Sequence, residues 1–226
     1  MPELRVATVF DAGDQAGHPY FSPDRRRVLD PSERGRLSRY LNDAPLALRA
    51  HGLEPDPLDP SRGHVVPVGY GTDGTWVWQE ASGYYLDTYG VAPEDELVEH
   101  IEQAGYTPPH ELPDEVLNQA ADAALAPPVQ RPPSLRRNLR YFASVTPGSP
   151  SNDPAGLFRQ WNQVWHDGSD VRIDQSVGRD LRWHSTGAFV SNARNGEKDF
   201  VDISEQQAAA VLDRWLARWS TPQAGR

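Results

Sequence analysis

The densest group of acid–base side chains in the sequence lies in the short stretch WHDGSD. It contains His166, Asp167 and Asp170, and a histidine flanked by carboxylates is a combination that general acid–base catalysis uses. The letters DGSD are equally typical of an exposed turn, in which the histidine has no catalytic role. The stretch therefore supplies the candidate catalytic residues of the chain, with an ordinary turn as the competing interpretation.

Other catalytic, metal and cofactor patterns are absent from the sequence. His184 precedes Ser185 and Thr186, but no G-x-S-x-G elbow surrounds them. The seven histidines form no H-x-x-x-H or H-E-x-x-H pair, and no EF-hand loop occurs. The glycines of VGYGTDG lack the lysine and the spacing of a phosphate-binding loop. We therefore expect no metal and no cofactor, and the enzyme hypothesis that stays open is a cofactor-free one, for example a hydrolase or transferase.

Composition narrows the choice of partner and compartment. The chain of 226 residues has no cysteine and a net charge of −10. Residues 1–126 hold 9 Lys and Arg against 22 Asp and Glu, a net of −13, whereas the remainder holds 13 against 10, a net of +3. Nucleic-acid binding requires a concentrated positive surface, which this balance disfavours. No signal peptide or apolar run of the length of a membrane span occurs, so we expect a cytoplasmic protein without membrane contact.

The acidity is concentrated between residues 94 and 122, where nine carboxylates occur without one Lys or Arg. The four glutamates of one predicted helix are the candidate partner-binding carboxylates: Glu94, Glu96, Glu99 and Glu102. Such a surface accelerates encounter with a basic partner and discriminates between partners. Plain solubility is the competing interpretation, and His100 on the same helix is expected on its solvated face. The run predicts a protein-binding surface.

Residues 64–90 combine two tryptophans and four tyrosines around the turn signal GTDG. The apolar alternation on both sides of GTDG predicts a β-hairpin that joins residues 64–70 to residues 75–80, with Pro67 at a sheet edge. Trp76 and Trp78 fall on one face of the second strand, and Tyr85 and Tyr89 follow on a short helix that can lie over them. The cluster predicts either the core of the first half of the chain or an aromatic partner-binding surface.

Helix signals in the first half are clear. Asp30 followed by Pro31 is a helix-start signal for PSERGRLSRYLND, and Pro93 and Pro113 open two further helices. The second of these three helices has a buried stripe of Leu97, Val98 and Ile101. Residues 4–10 alternate in the manner of a strand.

A proline- and arginine-rich stretch at residues 126–138 interrupts these patterns and predicts a semi-rigid linker. Beyond it, strands are predicted at LRYFASV, DVRIDQ, RWHSTGAFV and DFVDI. Ser204 and Gln207 form a capping box for the last helix. The apolar face of that helix offers a surface for self-association and contains Val211, Leu212, Trp215, Leu216 and Trp219.

The mixture of strands and helices, without regular βαβ alternation, predicts an α+β fold. We expect two small modules, each a short and mostly antiparallel sheet with helices packed on it. The first spans residues 1–126, the Pro-rich linker spans residues 127–138, and the second module spans residues 139–222.

Two stretches, VPVGYGTDGTWVWQEASGYYLDTYGVAPEDELVEHI and GRDLRWHSTGAFV with DFVDISEQQA, resemble segments of actinobacterial proteins from polymorphic-toxin loci. The similarity covers about a third of the chain and includes no residue of known role. It implies a cytoplasmic immunity or accessory protein that binds a cognate toxin. The leading hypothesis is thus a non-enzymatic binding protein with a basic toxin domain as partner, and the alternatives are a cofactor-free enzyme that uses His166 and a self-associating scaffold.

Overall fold

The computed structural model describes residues 4–14, 16–50, 52–126, 136–145, 153–164, 170–195 and 199–220. The chain divides into two compact units. Unit 1 comprises Met1–Phe21 and Arg25–Val129, and unit 2 comprises Ser22–Asp24 and Gln130–Arg226. Helices accompany antiparallel and mixed sheets, so the predicted α+β class is confirmed. No described helix is both long and apolar enough to cross a membrane.

Unit 1 combines short strands with helices. Its strands are β1 (Arg5–Val6), β2 (Ala12–Gly13), β3 (Pro19–Tyr20), β4 (Leu46–Leu48), β5 (Leu53–Pro55), β6 (His64–Pro67), β7 (Tyr70–Thr72) and β8 (Trp76–Gln79). Its helices are α1 (Pro31–Asp43), α2 (Ala81–Tyr89), α3 (Asp95–Gln103) and α4 (Asp114–Leu125). The central sheet has the order β1-β8-β7-β4, in which β1 runs parallel to β8 and the other pairs are antiparallel. Two-stranded sheets β2-β3 and β5-β6 complete the unit.

Helix α1 confirms the prediction made from its capping residues. The Asp30 carboxylate accepts a hydrogen bond from the backbone N–H of Ser32 at 2.9 Å, which satisfies a free donor of the first turn. Leu37, Tyr40 and Leu41 recur at helical spacing and are buried on one face. The predicted stripe of α3 is buried in the same core cluster.

The predicted hairpin is only half right. β7 pairs with β8 across the turn as expected, but β6 pairs with β5 instead, in a separate two-stranded sheet. Pro67, which has no N–H, ends β6, and the backbone N–H of Gly69 donates to the Glu80 carboxylate at 3.0 Å instead of to a ladder partner. The strand predicted over residues 4–10 is likewise limited to β1.

Unit 2 has strands β9 (Arg136–Val145), β10 (Gly156–Val164), β11 (Asp170–Val177), β12 (Trp183–Ser185) and β13 (Asp199–Ile203). Its helices are α5 (Ala188–Asn195) and α6 (Glu205–Ser220). The five strands form one antiparallel sheet in the order β12-β11-β10-β9-β13. Residues 136–138, which the sequence assigned to the linker, open β9, and residues 188–190, expected to be strand-like, open α5.

Helix α6 begins with the predicted capping box. The Gln207 side chain accepts from the backbone N–H of Ser204 at 2.8 Å, and the Ser204 hydroxyl accepts from the backbone N–H of Gln207 at 3.1 Å. The apolar face of α6 is buried within unit 2, where the helix packs on β9. Trp219 is its exposed member, with 40% of its surface accessible, so most of the predicted self-association face already has a neighbour.

Candidate functional site

The four predicted carboxylates of the acidic run differ in their surroundings. Glu96 and Glu99 are exposed on α3 and form no ion pair with any described residue. Glu102 is exposed and lies 3.0 Å from Arg26. Glu94 is half-buried, because its Oε1 accepts from the backbone N–H and the hydroxyl of Thr8, both at 2.6 Å. Glu96 and Glu99 thus remain available to a partner.

The turn between β7 and β8 anchors α3 through a buried carboxylate. Asp73 Oδ1 accepts from the backbone N–H groups of Thr75 and Trp76, both at 2.8 Å. Asp73 Oδ2 accepts from the Tyr40 hydroxyl at 2.7 Å and lies 2.7 Å from His100 Nε2. Burial and the Asp73 carboxylate raise the pKa of Tyr40 far above its ordinary value, which keeps the phenol protonated as a donor.

This contact corrects the expectation for His100. The histidine follows the buried stripe position Leu97 by three residues and therefore flanks the apolar face of α3 instead of the solvated one. Its spacing from Leu97 was the only local signal, because Asp73 lies 27 positions away in the chain. A carboxylate that holds one ring nitrogen of a histidine fixes the ring orientation, and here that bond locks α3 to the turn.

Helix α4 meets the same turn. Gly74 adopts a φ of +85°, and a Cβ placed on it would lie 3.3 Å from Leu112 and 3.4 Å from Val116. Only glycine allows this backbone conformation and this close approach. The turn therefore contacts α3 through His100, and it contacts the region where α4 begins through Leu112 and Val116.

We call six exposed carboxylates of α3, of the first turn of α4 and of the residues just before α4 the acidic surface. Its members are Glu96, Glu99, Glu102, Glu111, Asp114 and Glu115. In the same unit, Arg36 stacks over Tyr106 at 4.8 Å and Arg5 over Trp76 at 4.2 Å. Both helices therefore approach the same turn at one end of the central sheet of unit 1.

The aromatic residues predicted to bind a partner lie largely in the core. Trp76, Trp78 and Tyr85 are 3%, 0% and 2% exposed, as the core interpretation predicts. Trp78 donates its indole N–H to the carbonyl of Leu41 at 3.2 Å. Tyr85 does not cover the tryptophans, since it packs in a second cluster with Phe21.

Tyr89 is half-buried, and its hydroxyl forms a hydrogen bond within unit 1. Its hydroxyl donates to the fully buried carboxylate of Asp56, which also accepts from the Tyr84 hydroxyl at 2.8 Å and from the backbone N–H of Leu58 at 2.9 Å. Burial, then the hydrogen bond to Asp56, raises the pKa of Tyr89 far above its ordinary value. The bond gives Tyr89 a structural role in closing the loop around Asp56.

The candidate catalytic residues are only partly described. His166 and Asp167 lie outside the described residues, and their acid–base role stays a prediction. Asp170 is exposed at the start of β11, where its carboxylate accepts from the Asn162 side chain at 3.2 Å. Within the described part of the chain, no three His, Asp or Glu residues are grouped to hold a metal ion.

No family model, curated protein or solved structure matches the chain. The resemblance to proteins of polymorphic-toxin loci therefore stays a prediction from the sequence.

Proposed function

We propose that the chain is a protein-binding protein whose acidic surface docks a basic region of another protein. The observation that carries this proposal is the exposure of Glu96 and Glu99 without an ion pair to any described residue. Carboxylates at i and i+3 on a helix repel each other by about 0.2–0.5 kcal/mol per pair. A basic partner removes that repulsion, and the summed field of the surface accelerates the encounter.

The partner class follows from charge and from the sequence resemblance together. A surface rich in Arg and Lys complements the carboxylates of α3 and α4, whereas nucleic acid is repelled by them. We propose an immunity-type or accessory protein that acts in the cytoplasm on a basic toxin domain. The burial of Trp76, Trp78 and Tyr85 moves the proposed contact from the aromatic cluster to the two acidic helices.

The test compares two variants with the same change in charge. The surface variant carries Glu96→Gln, Glu99→Gln, Glu111→Gln and Glu115→Gln. Glu94 and Glu102 stay unchanged, since their bonds to Thr8 and Arg26 support the fold. The control variant replaces four exposed carboxylates outside the acidic surface, with Asp43→Asn, Glu54→Gln, Asp199→Asn and Asp202→Asn.

Tagged wild-type protein first captures its partner from lysate of the source organism, and the association rate of the purified partner is then measured at low and high salt. We expect the surface variant to associate about tenfold more slowly at low salt and to lose most of its salt dependence. The control variant should keep the wild-type rate. Equal rates for all three proteins would refute the acidic surface as the docking site, and no captured protein at all would favour the enzyme hypothesis centred on His166.

A further inference from the structure

One face of the unit 2 sheet carries a buried arginine at its centre. Arg159 on β10 lies directly opposite Tyr141 on β9 and opposite Gln175 on β11, so the three side chains share a face. Arg159 is 4% exposed, and its Nε donates to the Gln175 side chain at 2.9 Å. A buried guanidinium requires further hydrogen-bond acceptors or a compensating charge.

Two indole rings enclose this arginine. The guanidinium carbon of Arg159 lies 4.2 Å from the ring centroid of Trp183 and 5.1 Å from that of Trp161. A second guanidinium, that of Arg136, lies 5.0 Å from the Trp161 ring. The face is therefore an aromatic-walled site with two cations, a composition that suits an anionic group carried on an apolar segment.

The segment Ser22–Asp24 occupies this site and belongs to unit 2 with it. Trp183 donates its indole N–H to the carbonyl of Pro23 at 2.9 Å. The Asp24 carboxylate accepts from Arg136 at 2.7 Å and from Arg159. Pro23 and Asp24 form a turn, and the Asp24 backbone N–H donates to the Ser22 hydroxyl at 3.2 Å. Aromatic-lined grooves are one of the recurring means by which proteins recognise proline-containing segments.

The serine of the segment is also bonded. The Ser22 hydroxyl donates to the Glu205 carboxylate at 3.2 Å, and Glu205 is the first residue of α6. Each of the three residues therefore meets a matching group on the site: a hydroxyl meets a carboxylate, a carbonyl meets an indole N–H, and a carboxylate meets two guanidinium groups. That correspondence extends over the whole tripeptide.

The site also has a polar group that the segment leaves unused. The Tyr141 hydroxyl is buried and has no hydrogen-bond partner among the described residues. Burial, followed by the negative charges of Asp24 and Glu205, raises the pKa of Tyr141 well above its ordinary value, so the phenol is a donor. A buried donor without an acceptor is unusual, and an acceptor on a bound peptide would satisfy it.

We propose that this face of unit 2 is a recognition site for turn-forming segments of a partner protein in which proline precedes an acidic residue, and that Ser22–Asp24 fills the site in its own chain. The site is separate from the acidic surface and selects the opposite charge. A segment of a partner protein competes with the chain's own segment, which is covalently held beside the site.

The recipient in the test is the full chain with Pro23→Ala and Asp24→Ala, which removes the ring and the carboxylate of the occupant. The probe is the peptide acetyl-Gly-Ser-Pro-Asp-Gly-amide, and its matched control has Asn in place of Asp. Binding is followed by the NMR signal of the Trp183 indole N–H, assigned through its loss in Trp183→Phe. The Asp peptide should saturate the recipient. Its affinity for the recipient should be about tenfold higher than that of the Asn peptide, because its carboxylate pairs with two guanidinium groups.

Wild-type protein should bind the same probe at least about tenfold more weakly than the recipient does, because its own segment competes. Introducing Trp183→Phe into the recipient keeps a ring but removes the indole N–H, and we expect it to weaken peptide binding about fivefold. Because this variant lacks the indole signal, its binding is followed by the amide signals of the peptide. Equal affinity for the Asp and Asn peptides, or no binding by a recipient with the wild-type circular dichroism spectrum, overturns the proposal. If the double variant does not fold, Asp24→Asn serves as the recipient and the same outcomes decide.

Discussion

The two units use tryptophan in opposite ways. In unit 1, Trp78 is fully buried among apolar side chains, and its N–H satisfies a carbonyl of its own core. In unit 2, Trp161 and Trp183 enclose a guanidinium, and the Trp183 N–H reaches the carbonyl of a proline segment. Aromatic density alone therefore does not distinguish a core from a recognition site, whereas the polar groups that the rings contact do.

The largest expected difference between the units concerns these indole rings. Trp78→Ala should lower the free energy of unfolding of unit 1 by about 3–5 kcal/mol, because it leaves a large cavity in a fully buried site. Trp183→Phe should cost about 1 kcal/mol, because it keeps a ring and loses one hydrogen bond. Urea denaturation followed by circular dichroism and tryptophan fluorescence measures both, and a larger loss for Trp183→Phe would reverse the comparison.

The ion pairs of unit 2 should make its stability sensitive to acid. Burial raises the pKa of Asp24, but the charges of Arg159 and Arg136 outweigh burial and hold that pKa below the ordinary value of 3.8. A carboxyl with a lowered folded-state pKa stabilises the fold above its unfolded-state pKa, and the contribution disappears as the pH falls through the folded-state value.

We therefore expect Asp24→Asn to cost about 1–2 kcal/mol near neutral pH, a value reduced by the partial exposure of the carboxylate. The difference from wild type should shrink once the pH falls below about 4. Urea titrations of both proteins at a series of pH values provide the measurement. A difference that stays constant across the series would contradict an ionised Asp24 in the folded protein.

The smallest effects concern two buried tyrosine hydroxyls with different surroundings. Tyr40→Phe in unit 1 should cost about 1 kcal/mol, because it removes a donor from the Asp73 carboxylate. Tyr141→Phe in unit 2 should be neutral or stabilising by up to about 1 kcal/mol, because its hydroxyl has no partner among the described residues. Thermal unfolding of the two variants provides the comparison, and an equal loss in both would show that the Tyr141 hydroxyl is hydrogen-bonded in solution.

Local signals predicted the helices better than the sheets. Asp30 and Ser204 begin helices as expected, because a capping side chain acts on N–H groups only two or three residues away. The partner of β6 was predicted wrongly, because pairing with β5 depends on long-range contacts that no spacing within residues 64–90 encodes. The His100–Asp73 bond was missed for the same reason.

The sequence by itself determined the acidity of residues 94–122, the helices that carry it and the α+β class, since composition and helical periodicity are local properties. Only the tertiary structure decided that Trp76 and Trp78 are core, and that Asp24 meets Arg159 from 135 positions away. The physical reason is that burial and ion pairing depend on which segments the fold brings together. Two residues so far apart in the chain carry no local sign that they will meet.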